Sequence, residues 1–125
     1  MRLLFDTHIF IWAVSGDKRL KNSARTLIEN ADEVFVSAAT IWEASIKAGT
    51  GKLNADIRLL ATEIERSGFS ELPVRASHAI ELTTLPPLHG DPFDRILVAQ
   101  AIVESLQLMT VDKQLARYPG RVLLV

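Results

Sequence analysis

Two kinds of apolar pattern alternate along the chain. Leu3-Leu4-Phe5 and Val34-Phe35-Val36 are continuous apolar runs that stop at Asp6 and Ser37, and Leu106–Val111, apolar but for Gln107 and Thr110, stops at Asp112. Runs this short, without a polar face, predict buried strands. Val122–Val125 predicts a last strand, and Leu72-Pro73-Val74 a short strand or extended piece. Between these runs the apolar residues recur every three or four positions, as on one face of a helix. Residues 7–14 start such a segment. Leu20, Ala24, Leu27, Ile28 and Ala31 make the next, with Ser23 as its expected N-cap. Ser37 suits the N-cap of a helix running to about Ala48, which Gly49 and Gly51 end. Ile57, Leu60, Ala61 and Ile64 predict a helix closed by Gly68. Ala76–Leu82 predicts another, which Pro86-Pro87 forbids from continuing, and Lys113–Tyr118 a short one.

The clearest helix start is Asp91-Pro92-Phe93-Asp94. Asp91 fits the N-cap, Pro92 the first helical position, and Asp94 the third, where an acid completes a capping box. The segment that follows, Ile96–Val103, is apolar nearly all round, so it is expected to be buried on most sides. Strands that are continuous apolar runs and alternate with helices imply an α/β domain with a mainly parallel sheet covered on both faces. Ligands of such sheets bind at the carboxyl ends of the strands. Asp6 and Asp112 stand at strand ends, and Asp94 at a helix N-terminus that points to the same edge.

Composition narrows the picture. The chain of 125 residues fits one domain, 1–125, and its 48% hydrophobic content is ample for a core. No linker, repeat or low-complexity stretch divides it. With no cysteine, thiolate metal sites and disulfides are excluded. The apolar N-terminal stretch is interrupted by Asp6 and His8, and no run reaches the ~18 residues of a membrane span, so a soluble cytoplasmic protein is expected. The net charge of -1 argues mildly against a nucleic-acid binder, although the 14 Lys and Arg residues leave room for a local basic patch.

The candidate chemistry lies in four acids: Asp6, Glu43, Asp94 and Asp112. Each also has an ordinary structural reading. Asp6 and Asp112 suit N-caps, Asp94 is a third-position helix acid, and Glu43 suits an i,i+4 pair with Lys47 worth about 0.3–0.5 kcal/mol. Together they say more, because acids crowded into one crevice repel one another and need a cation. Oxygen ligands suit Mg²⁺ or Mn²⁺. Zinc is disfavoured, since there is no cysteine and His8, His78 and His89 show no ligand spacing. These histidines are read as polar or capping residues, with His89 near enough to Asp91 and Asp94 to matter. Divalent metal on carboxylates suggests phosphate-ester chemistry. P-loop, dinucleotide and nucleophile-elbow motifs are absent.

The motifs also carry a resemblance. LLFDTHIFIWAV, VSAATIWEASIKAGTGKL and LPPLHGDPFDRILVAQAIVESLQLMTVDKQLARY resemble, in order, the motifs of the PIN-domain toxins of bacterial toxin–antitoxin pairs, the VapC type. Asp6, Glu43, Asp94 and Asp112 fall on the four acids, and the likeness runs nearly end to end. It implies a PIN-like three-layer α/β/α sandwich with a mainly parallel central sheet. It further implies Mg²⁺- or Mn²⁺-dependent endoribonuclease action on RNA, inhibition by a cognate antitoxin, and homodimers or larger toxin–antitoxin assemblies. In that reading the four acids are both catalytic residues and metal ligands, and Asp91 is an extra acid that suits the cap and the metal's surroundings.

Three rivals stand beside it. A dehalogenase-like phosphatase wants D-x-D where this chain has Asp6-Thr7-His8, and a receiver domain wants paired early acids and a late Lys. A PIN-shaped binding module without nuclease activity would have lost acids that are all present. Two further expectations concern surfaces. Phe10, Ile11, Trp12, Ile41, Trp42 and Ile46 are read either as core or as a groove for an amphipathic antitoxin segment. Lys47 and Arg95 are read as basic residues at the rim of the acid crevice, or else as intrahelical partners of Glu43 and Asp91.

Overall fold

In the computed structural model, which describes residues 1–88, 90–118 and 121–125, the apolar runs form one five-stranded sheet. The strands are β1 (Arg2–Phe5), β2 (Glu33–Ser37), β3 (Ser70–Leu72), β4 (Gln107–Thr110) and β5 (Val122–Leu124). Their order is β3-β2-β1-β4-β5, and all four pairings are parallel. The helices are α1 (Thr7–Ser15), α2 (Asn22–Glu29), α3 (Ala38–Gly49), α4 (Ile57–Arg66), α5 (Ala76–Glu81) and α6 (Pro92–Glu104). None of them is long and apolar enough to cross a membrane.

The alternation of side chains along each strand supplies two cores. Leu3, Phe5, Val34, Val36 and Met109 face one way and pack with Ile9, Phe10, Ala24, Ala44, Leu60 and Ile64 of α1 to α4. Leu4, Leu72 and Leu108 face the other way and pack with Leu97, Val98 and Ala101 of α6. The result is a three-layer α/β/α sandwich. Both faces being covered explains why the strands read as unbroken apolar runs.

The topology has one consequence for function. From β1 the chain moves outward through β2 to β3, then crosses back to lay β4 on the other side of β1. The direction of winding therefore reverses between β1 and β4. At such a point neighbouring crossovers lie on opposite faces, and a crevice opens at the carboxyl ends of the two strands. Asp6 follows β1, and Asp112 lies two residues beyond β4.

Local details depart from the pattern in three places. The helix expected to begin at a Ser23 cap begins earlier, with Lys21 at the N-cap and no side-chain cap bond. The turn before it is fixed by Leu20 N donating to Asp17 O (3.2 Å) and by the Arg25 guanidinium on the same carbonyl (2.6 Å). The strand expected at Leu72-Pro73-Val74 lies at Ser70–Leu72, since Pro73 has no N–H to continue the ladder. The helix expected over Lys113–Tyr118 is one 3₁₀ turn, Leu115–Arg117, closed by i→i+3 bonds such as Leu115 N to Asp112 O.

Candidate active site

Each of the four acids is placed by a short, strongly determined piece of local structure. Asp6 is held at the end of β1 by its own N–H, which donates to Met109 O of β4 at 3.0 Å. Its side chain then caps α1: Oδ1 accepts from Thr7 N at 2.6 Å. Its other oxygen accepts from the Thr110 hydroxyl at 2.7 Å. Thr110 in turn accepts from Asp112 N at 3.0 Å, and Asp112 Oδ1 accepts from Gln114 N at 2.8 Å. One threonine thus links the first and last acids across the β1–β4 boundary.

Glu43 comes from the second turn of α3, the helix that Ser37 caps through its hydroxyl on Ala39 N at 3.0 Å. Its carboxylate is buried. Oε1 accepts from the Thr7 hydroxyl at 2.7 Å, and Oε2 pairs with Lys47 Nζ at 2.8 Å. Asp94 enters from the first turn of α6, where Asp91 is the N-cap, Oδ1 accepting from Phe93 N (2.8 Å) and from Asp94 N (3.4 Å).

These pieces meet. One cleft of about 390 Å³ is lined by Asp6, Glu43, Asp91, Asp94 and Asp112, with His8, Lys47 and Val111. All four candidate acids therefore reach one space, from four separate segments. The capping readings of Asp6 and Asp91 and the pairing of Glu43 with Lys47 are also correct, so each of these residues plays both parts. Threonines 7 and 110 were not singled out as part of the site. Their signal lay in Asp6-Thr7 and Thr110-x-Asp112, hydroxyls one and two residues from an acid.

Other expectations are corrected. Arg95 does not line the cleft. Its guanidinium donates to Pro86 O and Tyr118 Oη (both 3.2 Å) and to Leu82 O (3.4 Å), tying α6 to the segment before it. His8 lines the cleft, whereas His78 is fully buried and structural, accepting from Arg75 N and pairing with Glu104. His89 lies outside the described residues. Of the apolar residues read as core or groove, Phe10 is core, Ile11, Trp12 and Ile41 are partly buried against it, and Trp42 and Ile46 are exposed, at 63% and 45%. Packing places the two helices so that only one side of α3 remains open.

Electrostatics follow from this geometry. Burial pushes the Asp6 carboxyl above its ordinary value, opposed by the bonds from Thr110 and Thr7. The charge of Glu43 pushes the same way but is the smallest contribution, so desolvation rather than crowding of charge leads. Lys47 moves up, chiefly through its bond to Glu43, with Asp91 and Asp6 adding to it. Among the described residues no three His, Cys, Asp or Glu side chains are drawn together as an assembled ligand set. The donors nevertheless suit Mg²⁺. They are all oxygens on an open cleft, and this ion keeps several waters while taking one or two carboxylates.

The model of the PIN domain family matches residues 3–121. The chain belongs to the PIN-domain family. Ribonuclease VapC22 of Mycobacterium tuberculosis is 31% identical over 119 residues, covering 90% of this chain and 88% of that protein. Among solved structures, the VapBC2 complex of Rickettsia felis bound to a DNA fragment from its promoter superposes with a TM-score of 0.71 at 19% identity. It covers 100% of this chain and 98% of that one. A toxin–antitoxin complex from Klebsiella pneumoniae gives a TM-score of 0.66 at 24% identity, covering 97% and 95%. The PIN fold expected from the motifs is therefore the fold observed, with its acid cleft where the sheet's winding reverses.

Proposed function

We propose that this PIN domain, residues 1–125 acting as one unit in the cytoplasm, is the endoribonuclease toxin of a toxin–antitoxin pair. The observation that carries this is the convergence of Asp6, Glu43, Asp94 and Asp112 on one cleft. The 31% identity to a ribonuclease of the VapC type supports the activity, and the toxin–antitoxin complexes among its structural neighbours support a cognate antitoxin and assemblies of higher order.

In this reading the four acids hold Mg²⁺ or Mn²⁺. When bound, the metal lowers the pKa of water and offsets charge on the phosphodiester oxygens. The chain's own residues set the stage. Thr110 and Thr7 N–H fix the Asp6 carboxylate, Thr7 and Lys47 fix that of Glu43, and the Asp91 cap of α6 holds the turn that puts Asp94 in the cleft. Hydrolysis by water leaves a 3′-hydroxyl and a 5′-phosphate.

The test is cleavage of total RNA with Mg²⁺, with EDTA, and after restoring Mg²⁺. Chelation is expected to stop cleavage and Asp94→Asn to abolish it. Products ending in 2′,3′-cyclic phosphate, or full activity in EDTA, would overturn the mechanism.

A further inference from the structure

The acid cleft continues into a second groove of about 470 Å³, with which it shares Glu43, Lys47 and Asp91. Along this groove the chemistry changes. Its other lining residues are Ile46, Thr50, Lys52, Gly90, Pro92 and Phe93. Phe93 is braced by Trp42, whose ring meets it edge-on at 4.9 Å between centroids. Each of these aromatics directly precedes an acid of the cleft, Glu43 or Asp94, so the ring pair is fixed at its border by the same two helices.

Lys52 is delivered by the end of α3. Thr50 caps the helix, and Gly51 takes a φ of 77°, a left-handed turn that costs glycine little. The chain then folds back so that Lys52 N and Leu53 N both donate to Lys47 O, at 2.8 and 3.1 Å. The Lys52 side chain is exposed and makes no ion pair among the described residues, unlike Lys47, which is engaged by Glu43. A neighbouring pocket, which shares Phe93 and Pro92 with the groove and is lined besides by Trp42, Val74, Leu82 and Ile96, is mostly apolar.

An aromatic ring and a lysine that makes no ion pair among the described residues, both beside the acid cleft, are what proteins use for unpaired nucleotides. Bases stack on the ring, and the cation meets the backbone. Bases inside a duplex cannot reach such a ring. We infer that this groove is a nucleotide subsite, which seats an unpaired base on Phe93 and the adjoining phosphate at Lys52. The inference rests on the ribonuclease reading and adds to it two residues of this chain, Phe93 and Lys52, that hold the substrate beside the cleft.

The experiment is fluorescence anisotropy with a labelled mixed-sequence RNA oligonucleotide, single-stranded or annealed to its complement. It is run in EDTA so that the RNA stays intact. The full chain is compared with Phe93→Leu, Phe93→Tyr and Lys52→Ala. The single strand is expected to bind at least about tenfold more tightly than the duplex. Phe93→Leu is expected to weaken it about tenfold, the loss of one base–aromatic stack, while Phe93→Tyr keeps it. Lys52→Ala is expected to lower the slope of log affinity against log salt by about one. Equal binding of duplex, or unchanged binding in Phe93→Leu, overturns the subsite. So does a change of molar mass in light scattering with RNA binding intact, which would make the groove a protein interface. If Phe93→Leu does not fold, Lys52→Ala, at an exposed position, decides by its salt slope. Cleavage of RNA by the unmodified chain is run in parallel. If that cleavage is metal-dependent and the groove variants bind as the parent does, the subsite alone is withdrawn. If there is no cleavage at all, the ribonuclease reading fails first.

Discussion

Asp6 shows how much one side chain can be asked to do. It ends a strand, caps a helix and lines the cleft, and it does so nearly out of reach of water, at 4% exposure. Burial raises its carboxyl pKa, so the folded chain keeps this proton to higher pH than the unfolded chain, whose ordinary value is 3.8. Over that window the folded state binds more protons, and stability falls as pH rises through it. Asp17 acts on the other side. Its bonds from Arg19 hold it down to about 2, so its contribution is present above 3.8 and lost as pH falls toward 2. Melting temperatures of the metal-free protein are therefore expected to decline in both directions from the region of 3.8, and Asp6→Asn to flatten the upper limb only. An unchanged upper limb in Asp6→Asn would assign that limb to another group. Thr110 makes a separate prediction. Its hydroxyl donates to Asp6 and accepts from Asp112 N, so Thr110→Val removes both bonds. Urea unfolding is expected to show a loss of about 1–3 kcal/mol, with RNA cleavage reduced as Asp6 loses its anchor.

Among the elements, α6 couples folding to the site most directly. Asp91 and Pro92 start the helix, and the same start puts Asp94 into the cleft. Cap and cleft can be separated by substitution. Asp91→Ala removes the cap and is expected to cost about 1 kcal/mol, whereas Asp91→Ser keeps an oxygen for Phe93 N and stays near the parent's stability. If Asp91 also serves the cleft chemically, both variants lose RNA cleavage alike; if Asp91→Ser cleaves as the parent does, its part is capping alone. This helix was legible in advance because its start uses three residue types with narrow roles. The 3₁₀ turn at Leu115–Arg117 was not, because a few residues after a strand satisfy several turn geometries equally well.

For the molecule as a whole, the cleft gathers acids from four separate segments of the fold. Among the described residues, five carboxylates line it together with the ammonium of Lys47. A cation that binds only the folded state stabilises by RT ln(1 + [L]/Kd), about 2.7 kcal/mol at a hundredfold excess over Kd. Thermal melting is expected to rise with Mg²⁺ in the parent and to respond much less in Asp94→Asn; an equal rise in both would remove Asp94 from the metal's ligands. The linear pattern was enough to establish the strands, most helices and the α/β class, and to single out four acids that line one cleft. Strand runs and caps are local, so neighbouring residues specify them. The three-dimensional arrangement settled the rest. It brought the threonines onto Asp6 and Glu43, took Arg95 from the rim into a network with Pro86 and Tyr118, buried Phe10, and left Trp42 and Ile46 open. All of these depend on which face of a helix meets which strand. Helical spacing names an apolar face, but only packing against the twisted sheet decides how much of that face the core has room to cover.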